Sequence, residues 1–155
     1  MGTGPLSPNI ERGARHGSLP AYVGNGLVGL RVREVSLLSG SAIVNGTVGL
    51  HPEKRIEAAV AIPYPLAGDI GIDEAWLSEQ PWAVTNLQQR YDFGTAELTS
   101  SFDFTAHEIR LHVEIATFAS RSEPSLVLQE LVVRSSADCA LKLRATGGPG
   151  VGGGG

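Results

Sequence analysis

The sequence predicts an all-β protein that folds as an antiparallel β-sandwich. The first observation is the strict alternation in Ile109–Ile115, where apolar residues occupy every second position. A period of two cannot keep its apolar side chains on one stripe of a helix. The second observation is that strand patterns follow one another along the chain, separated by turns rich in Gly and Pro, with no helical period of usual length. Strands joined by short connections predict antiparallel sheets.

In the first part of the chain, β-branched and apolar residues predict strands near 27–35, 56–62 and 87–93. A hairpin is expected over Ala42–Val48, because Asn45-Gly46 suits the two positive-φ positions of a type I′ turn. Asp73–Gln80 is expected to form a single helical turn, with Asp73 as its cap.

The second part of the chain carries the clearest strands. Leu111, Val113 and Ile115 are expected in the core, and the residues between them on the opposite face. Ser125–Val133 is almost continuously apolar, which predicts a strand covered on both faces. Alternation also predicts two further strands. Leu98, Ser100, Phe102 and Phe104 would share one face of the first, and Cys139, Leu141, Leu143 and Ala145 would share one face of the second.

The composition divides the chain into three parts. Residues 1–18 are rich in Gly, Pro, Ser and Arg without a period, which predicts a flexible lead-in. Residues 19–146 are predicted to form the β-sandwich domain. Residues 147–155 are dominated by Gly and are expected to be a linker, a disordered end or a scar.

The charge and the cysteine count limit the partners and the compartment. The net charge is -4 and Lys and Arg are not clustered, so neither nucleic acid nor a membrane is an expected partner. One cysteine, Cys139, rules out an internal disulfide, and we expect it to be a buried small apolar residue. The start of the chain lacks the features of a signal peptide. The sequence therefore favours a cytoplasmic protein.

The titratable residues predict no catalytic residue and neither a metal site nor a cofactor. Carboxylates beside turn glycines usually cap backbone amides, and this interpretation is favoured over paired catalytic carboxylates. The His residues lack metal-ligand spacing, and His112 is expected to be exposed or paired across strands. The Gly-rich runs lack the Lys of a phosphate-binding loop. The carboxylates considered are Asp69, Asp73, Asp92 and Glu97.

Aromatic residues near predicted loops offer two interpretations. Trp76 and Trp82 are candidate substrate-binding residues, because an indole ring suits the face of a sugar. The alternative is that they cover one end of the sandwich. Tyr22, Tyr64 and Tyr91 are placed similarly.

Four segments, taken in chain order, resemble one known domain. They are Tyr22–Gly29, then Asn45-Gly46 with the Pro-rich Ile62–Leu66, then Tyr91–Thr99, and finally Thr117–Ser122 leading into Leu126–Leu131. The set is similar to the N-terminal β-sandwich of glycoside hydrolase family 65, which contains trehalose, maltose and kojibiose phosphorylases and acid trehalases. The resemblance implies a sandwich of the galactose-mutarotase-like supersandwich type that packs on an (α/α)₆ barrel.

The resemblance also implies that the chemistry lies elsewhere. In the family, a barrel glutamate acts as general acid while phosphate or activated water attacks the anomeric carbon of an α-linked glucoside or disaccharide. This chain contains neither the barrel nor that glutamate, so no catalytic residue is carried over. The family's sandwich is much longer than this chain, which leaves a truncated product, a domain fragment or a short relative as alternatives. We expect an incomplete sandwich to self-associate, or to swap strands between copies, through uncovered strands, and the nearly continuously apolar Leu126–Val133 is the best candidate segment.

The sequence is also compatible with two functions from other classes. One is a stand-alone carbohydrate-binding β-sandwich that uses Trp76 and Trp82. The other is a structural or dimerisation module. Only the carbohydrate-binding module requires the isolated chain to bind a sugar.

Overall fold

The computed structural model describes residues 21–51 and 53–146, so the predicted lead-in 1–18 and Gly-rich tail 147–155 lie outside the described residues. The described residues form an antiparallel β-sandwich, which confirms the predicted fold class. Two short 3₁₀ turns cover Leu77–Glu79 and Pro81–Ala83. No helix in the described part of the chain is long and apolar enough to cross a membrane.

Eleven strands of the described residues form three antiparallel sheets, ordered β1-β2-β3-β4, β10-β9-β8-β7 and β11-β5-β6. The strands are β1 Ala21–Gly24, β2 Val28–Val32, β3 Gly40–Leu50, β4 Glu57–Ile62, β5 Gly68–Ile72, β6 Ala75–Trp76, β7 Val84–Asp92, β8 Glu97–Ala106, β9 Ile109–Ala119, β10 Val127–Ser135 and β11 Leu141–Ala145. The predicted strands near 27–35, 56–62 and 87–93 correspond to β2, β4 and β7.

The alternation in β8 and β9 builds the larger of two core clusters. Leu111, Val113 and Ile115 are fully buried, whereas Arg110 is exposed, as the pattern predicted. Phe102 and Phe104 of β8 are also fully buried and meet the same cluster. Each completely buried side chain of this size contributes about 1.5–3 kcal/mol through the hydrophobic effect. The pair β8–β9 is therefore the centre of the molecule, and β5 covers it from the third sheet.

The second core cluster joins the first sheet to one end of β8. It contains Val23, Leu30 and Val32 of β1 and β2 together with Leu98. Tyr64 belongs to it, and its hydroxyl donates a hydrogen bond to the Ser36 carbonyl at 3.1 Å. Burial raises the pKa of Tyr64 to about 12, so this hydroxyl keeps its proton at neutral pH.

The predicted hairpin at Asn45-Gly46 is wrong. Both residues lie inside the single strand β3, at a break in its register with β4 between Ile43 and Val48. Gly46 has φ +83, which is the backbone of a β-bulge glycine. The Asn45 amide N–H donates to the Leu27 carbonyl at 2.7 Å, which fastens the bulge to the β1–β2 turn. The dipeptide has the conformation expected for a turn but bends one strand instead of joining two.

A single helical turn forms within Asp73–Gln80, as predicted, but the prediction that Asp73 caps it is wrong. Asp73 has φ +53 and lies in the tight connection between β5 and β6, where Ile72 pairs with Ala75. The 3₁₀ turn begins later, and its N-cap is Trp76, without a side-chain cap hydrogen bond. Asp73 is part of the hairpin between β5 and β6, so it cannot act as the cap of the helical turn that follows.

The strand at Ser125–Val133 is found, but its predicted cover on both faces is not. β10 lies at an edge of its sheet, and Leu128 and Val132 are 40% and 38% exposed. Cys139, predicted as buried, is half-buried and packs at the margin of the larger cluster. Its Sγ lies 3.4 Å from the Ser135 hydroxyl.

Candidate functional site

Trp76 lies on β6 beneath an arginine. The Arg144 guanidinium carbon is 3.9 Å from the centroid of the Trp76 ring, which is a cation–π contact. Gly71 pairs with Trp76 across β5 and β6, and a Cβ at Gly71 would come within 3.0 Å of the ring. Arg144 therefore covers one face of this indole, and a sugar cannot stack on that face unless the arginine moves.

The arginine is held in place by a buried carboxylate. Arg144 Nη2 donates to Asp69 Oδ2 at 2.7 Å. Asp69 also accepts hydrogen bonds from the backbone N–H groups of Ile70 and Ser78 and from the Ser78 hydroxyl, at 3.0, 3.1 and 2.6 Å. Its oxygens are thus engaged in fixing the chain between β5 and the first 3₁₀ turn. This confirms the structural interpretation of Asp69.

Trp82 lies in the second 3₁₀ turn, immediately before β7, and is 77% exposed. Among the described residues, the aromatic rings that contact each other are Tyr91 and Phe93, with centroids 4.8 Å apart. The structure therefore does not stack Trp76 against Trp82. Of the two candidates, Trp82 presents the more open ring, and sugar binding by either residue stays a prediction.

The outer face of the second sheet carries a hydrogen-bonded polar network that spans all four strands. His112 Nδ1 lies 2.7 Å from Asp103 Oδ1, and its Nε2 lies 3.2 Å from Glu114 Oε1. Arg134 donates to the same Glu114 oxygen at 2.7 Å, and Asn86 donates to Asp103 Oδ2 at 2.7 Å. This confirms the expected cross-strand pairing of His112. These five residues form the β-sheet polar network.

Hydrogen bonds within the β-sheet polar network raise the pKa of its histidine and lower the pKa values of its two carboxylates. The hydrogen bond to Asp103 raises the pKa of His112. The hydrogen bonds from Asn86 and then from His112 lower the pKa of Asp103. The hydrogen bond from Arg134 lowers the pKa of Glu114. The side chain of His112 is 43% exposed, so water weakens these interactions. The arrangement can hold a protonated imidazole between two carboxylates.

Asp92 and Glu97 both form hydrogen bonds at the turn between β7 and β8. Asp92 Oδ1 accepts hydrogen bonds from the N–H groups of Gly94 and Thr95 at 2.8 and 3.2 Å, in the turn between β7 and β8. Glu97 accepts from the Thr95 hydroxyl at 3.3 Å. Within residues 21–51 and 53–146, no group of three or more His, Cys, Asp or Glu is arranged to hold a metal ion.

Asn25, in the first of the four family-like segments, joins the two large sheets. Its side-chain oxygen accepts from the N–H groups of Leu27 and Val28, both at 3.0 Å, and closes the β1–β2 turn. Its amide nitrogen donates to the carbonyls of Ser120 and Pro124 at 2.6 and 2.9 Å, in the β9–β10 connection. Gly26 has φ +94, which this turn needs. The predicted turn-forming role of Asn25 and Gly26 is confirmed, and the bond to the second sheet is an addition.

Asp103, Asn86 and the arginine over Trp76 are not among the site residues predicted from the sequence. Asp103 stands between Phe102 and Phe104, so the alternation that buries the two phenylalanines places its carboxylate on the other face. The sequence pattern therefore indicated that Asp103 faces away from the core. The contact between Arg144 and Trp76 joins strands that are distant in sequence, and no local pattern indicates it.

The comparisons with known proteins concern the fold. No family model matches the sequence, and the curated proteins give no significant match. Among solved structures, the chain is similar to one described as "Putative kojibiose phosphorylase from human microbiome", with a TM-score of 0.65 and 15% sequence identity. The likeness covers 79% of this chain and 18% of that chain, so this chain spans less than a fifth of its length. The shared feature is a β-sandwich that resembles part of that protein.

Proposed function

We propose that the chain is a non-catalytic β-sandwich part of a family 65-like α-glucoside hydrolase or disaccharide phosphorylase. In this proposal it packs on an (α/α)₆ barrel that supplies the catalytic residues and binds the α-linked disaccharide or glucoside. The observation that carries the proposal is the likeness over 79% of the chain to part of a structure described as a kojibiose phosphorylase. Kojibiose phosphorylase is one of the activities that the sequence resemblance implies.

The carboxylates support a role without catalysis. Asp69 is occupied by Arg144, by Ser78 and by its own neighbour Ile70. Asp92 closes a turn. A glycosidase needs one carboxyl group that can give up a proton and a second that faces the anomeric carbon or a water. The carboxylates already bonded to backbone and arginine are poorly suited to either task.

Exposed leucines beside the core support packing on a further domain. Leu141 and Leu143 of β11 pair in register with the buried Ile72 and Ile70 of β5, yet they are 43% and 58% exposed. Residues directly opposite each other in a sheet point to the same face, so these leucines continue the apolar face beyond the sandwich. We place the barrel contact at these leucines. The single cysteine, Cys139, is typical of a reducing compartment and supports a cytoplasmic enzyme.

A carbohydrate-binding module is the second candidate, and the 77% exposure of Trp82 favours it. The two candidates differ in one measurable property. Under the main proposal the isolated chain binds no sugar, because the pocket belongs to the barrel. Under the second, the chain binds a sugar by stacking it on Trp82, which contributes affinity through an apolar ring face.

The deciding experiment is a calorimetric titration of the chain with kojibiose, trehalose, maltose and glucose. The main proposal predicts no saturable heat with any of them. Saturable binding that Trp82→Ala removes, and that Tyr22→Ala on β1 leaves intact, would replace it with the binding module. Tyr22 is a matched control because its ring is also well exposed, at 64%, but lies on the other large sheet. The reading frame beyond Gly155 provides an independent check, since the proposal expects it to encode a helical barrel.

A further inference from the structure

The free edge of β10 differs from the other sheet edges in the described residues. β10 pairs with β9 over nine consecutive positions without a register break. The edge strands β4 and β7 each carry a break in their pairing, β1 and β6 span only four and two residues, and β11 has five residues and contains Lys142. Short length and bulges protect edges from pairing with other chains, and so do Lys and Pro. β10 has nine residues and contains neither Lys nor Pro, so its free edge lacks these protections.

Two hydrogen bonds at the ends of β10 show which of its backbone groups face outward. The backbone N–H of Ser120 donates to the Leu126 carbonyl at 3.0 Å, and the backbone N–H of Ser136 donates to the Arg110 carbonyl at 2.9 Å. Residues 126 and 136 therefore direct their backbone groups toward β9. Because these directions alternate along a strand, the even-numbered residues bond to β9 and the odd-numbered residues present their N–H and C=O groups to the free edge.

We propose that this edge pairs with β10 of a second copy of the chain, antiparallel and about a twofold axis at Val132. In this register the outward-facing Leu131 and Val133 of one copy bond to Val133 and Leu131 of the other. The even-numbered residues form the non-hydrogen-bonded pairs, whose side chains approach most closely. Val132 then lies opposite Val132 of the second copy. The two four-stranded sheets become one sheet of eight strands with an isologous interface.

Charge selects this register among those that the backbone allows. Outward-facing groups can bond only if odd positions meet odd positions, so the axis passes through one residue of the strand. With the axis at Val132, Glu130 lies opposite Arg134 of the second copy, and this pair occurs twice. With the axis at Glu130, two like charges meet, which is unfavourable. With the axis at Leu131, Glu130 faces Val132 and Arg134 faces Leu128, so each charge lies opposite an apolar side chain.

The side chains at this edge are available for the contact. Arg134 is 62% exposed, and its bond to Glu114 uses Nη1, which leaves further donors of the guanidinium for a partner. Val132 and Leu128 are 38% and 40% exposed on the same face. Pairing two copies covers part of this apolar surface as well as the backbone groups. The inference depends on β10 alone and stands whether or not the proposed glucoside function holds.

Site-specific disulfide formation tests the register. In a Cys139→Ser background, Val132→Cys places a thiol opposite its own copy, where the Cα atoms of such a pair are about 4.5 Å apart and within disulfide reach. Glu130→Cys places the two thiols four residues apart, about 14 Å along the strand, beyond that reach. We expect rapid crosslinked dimer from Val132→Cys, none from Glu130→Cys alone, and a crosslinked heterodimer when Glu130→Cys is mixed with Arg134→Cys. Crosslinking of Glu130→Cys alone at an equal rate would overturn the register.

Light scattering with size-exclusion chromatography across a concentration series tests the interface itself. We expect the wild-type chain to form a dimer, Val132→Lys to be a monomer, and Val48→Lys to remain dimeric. Val48 is the matched control because it is an exposed valine on a strand of the other large sheet. Glu130→Arg should weaken dimerisation by about tenfold, because two opposite-charge pairs become like-charge pairs. A wild-type monomer at every concentration, or a dimer that Val132→Lys leaves unchanged, would overturn the proposal.

Discussion

Asn25 shows how a single side chain can fix the relation between two sheets. Its oxygen closes a turn within the first sheet, and its amide nitrogen reaches two carbonyls in the connection between β9 and β10. The sequence made the turn predictable, because Asn followed by Gly is typical of a positive-φ position. It did not reveal the second pair of bonds, since Ser120 and Pro124 lie about a hundred positions further along the chain.

We predict that Asn25→Asp separates the two roles of this residue. The aspartate keeps an oxygen for the N–H groups of Leu27 and Val28 but cannot donate to the Ser120 and Pro124 carbonyls. The free energy of unfolding should fall by about 1–3 kcal/mol, because two carbonyls lose their donor. Urea denaturation measures this. A change within error would show that the link between the sheets contributes nothing to stability.

His112 predicts a pH-dependent part of the stability. Its pKa is raised above 6.5 in the folded chain, so its contribution is complete at pH values below 6.5 and is lost as the pH rises through the raised pKa. The pKa of Asp103 is lowered below 3.8, so its contribution is present above pH 3.8 and is lost as the pH falls through the lowered pKa. The pair therefore stabilises the fold most between these limits.

We predict that His112→Gln lowers stability more at about pH 5.5 than at about pH 8.5, since only the protonated imidazole forms an ion pair with Asp103. The difference should remain below about 1 kcal/mol, because exposed ion pairs contribute little. Thermal melts at the two pH values measure it. Thr99→Gln is the control, because Thr99 is exposed on β8 and has no titratable group, so its effect on stability should be equal at the two pH values. A larger loss at the higher pH would contradict the assignment of the proton.

At the scale of the element, periodicity predicted the strands well and turn chemistry predicted the connections poorly. The Asn45-Gly46 pair suggested a hairpin and forms a bulge instead. The β8–β9 hairpin turns at His107-Glu108, where φ is +50 and +64, although neither residue is the Asn, Asp or Gly that such a turn usually contains. The buried faces of β8 and β9 determine the register and impose this turn. The packing of two long strands thus overrides the backbone preferences of the two turn residues.

We predict unequal costs for truncating neighbouring residues of β9. Val113→Ala should cost about 1–3 kcal/mol, because it removes buried methyl groups and leaves a cavity. Arg110→Ala should cost much less, because Arg110 is exposed on the other face. Chemical denaturation of both variants makes the comparison. Equal losses would mean that the assigned faces of β9 are wrong.

At the scale of the molecule, sequence patterns indicated the sandwich but not how its sheets are assembled. The order β7-β8-β9-β10 follows the chain and could be predicted from successive hairpins. The pairing of β11 with β5 joins Leu143 to Ile70, and neither strand carries a local signal for the other. For the candidate site, Trp82 is exposed, whereas Trp76 is covered on one face by an arginine that only the tertiary structure places there.

The most direct test of the central claim, that this sandwich performs no catalysis by itself, is an assay of the folded chain with kojibiose, trehalose and maltose, each with and without phosphate. Circular dichroism first establishes that the chain is folded. We predict no release of glucose or glucose 1-phosphate above a heat-killed control, because Asp69 and Asp92 are already bonded to arginine, serine and backbone groups. Release above the control that is lost in a folded Asp69→Asn or Asp92→Asn variant would contradict it.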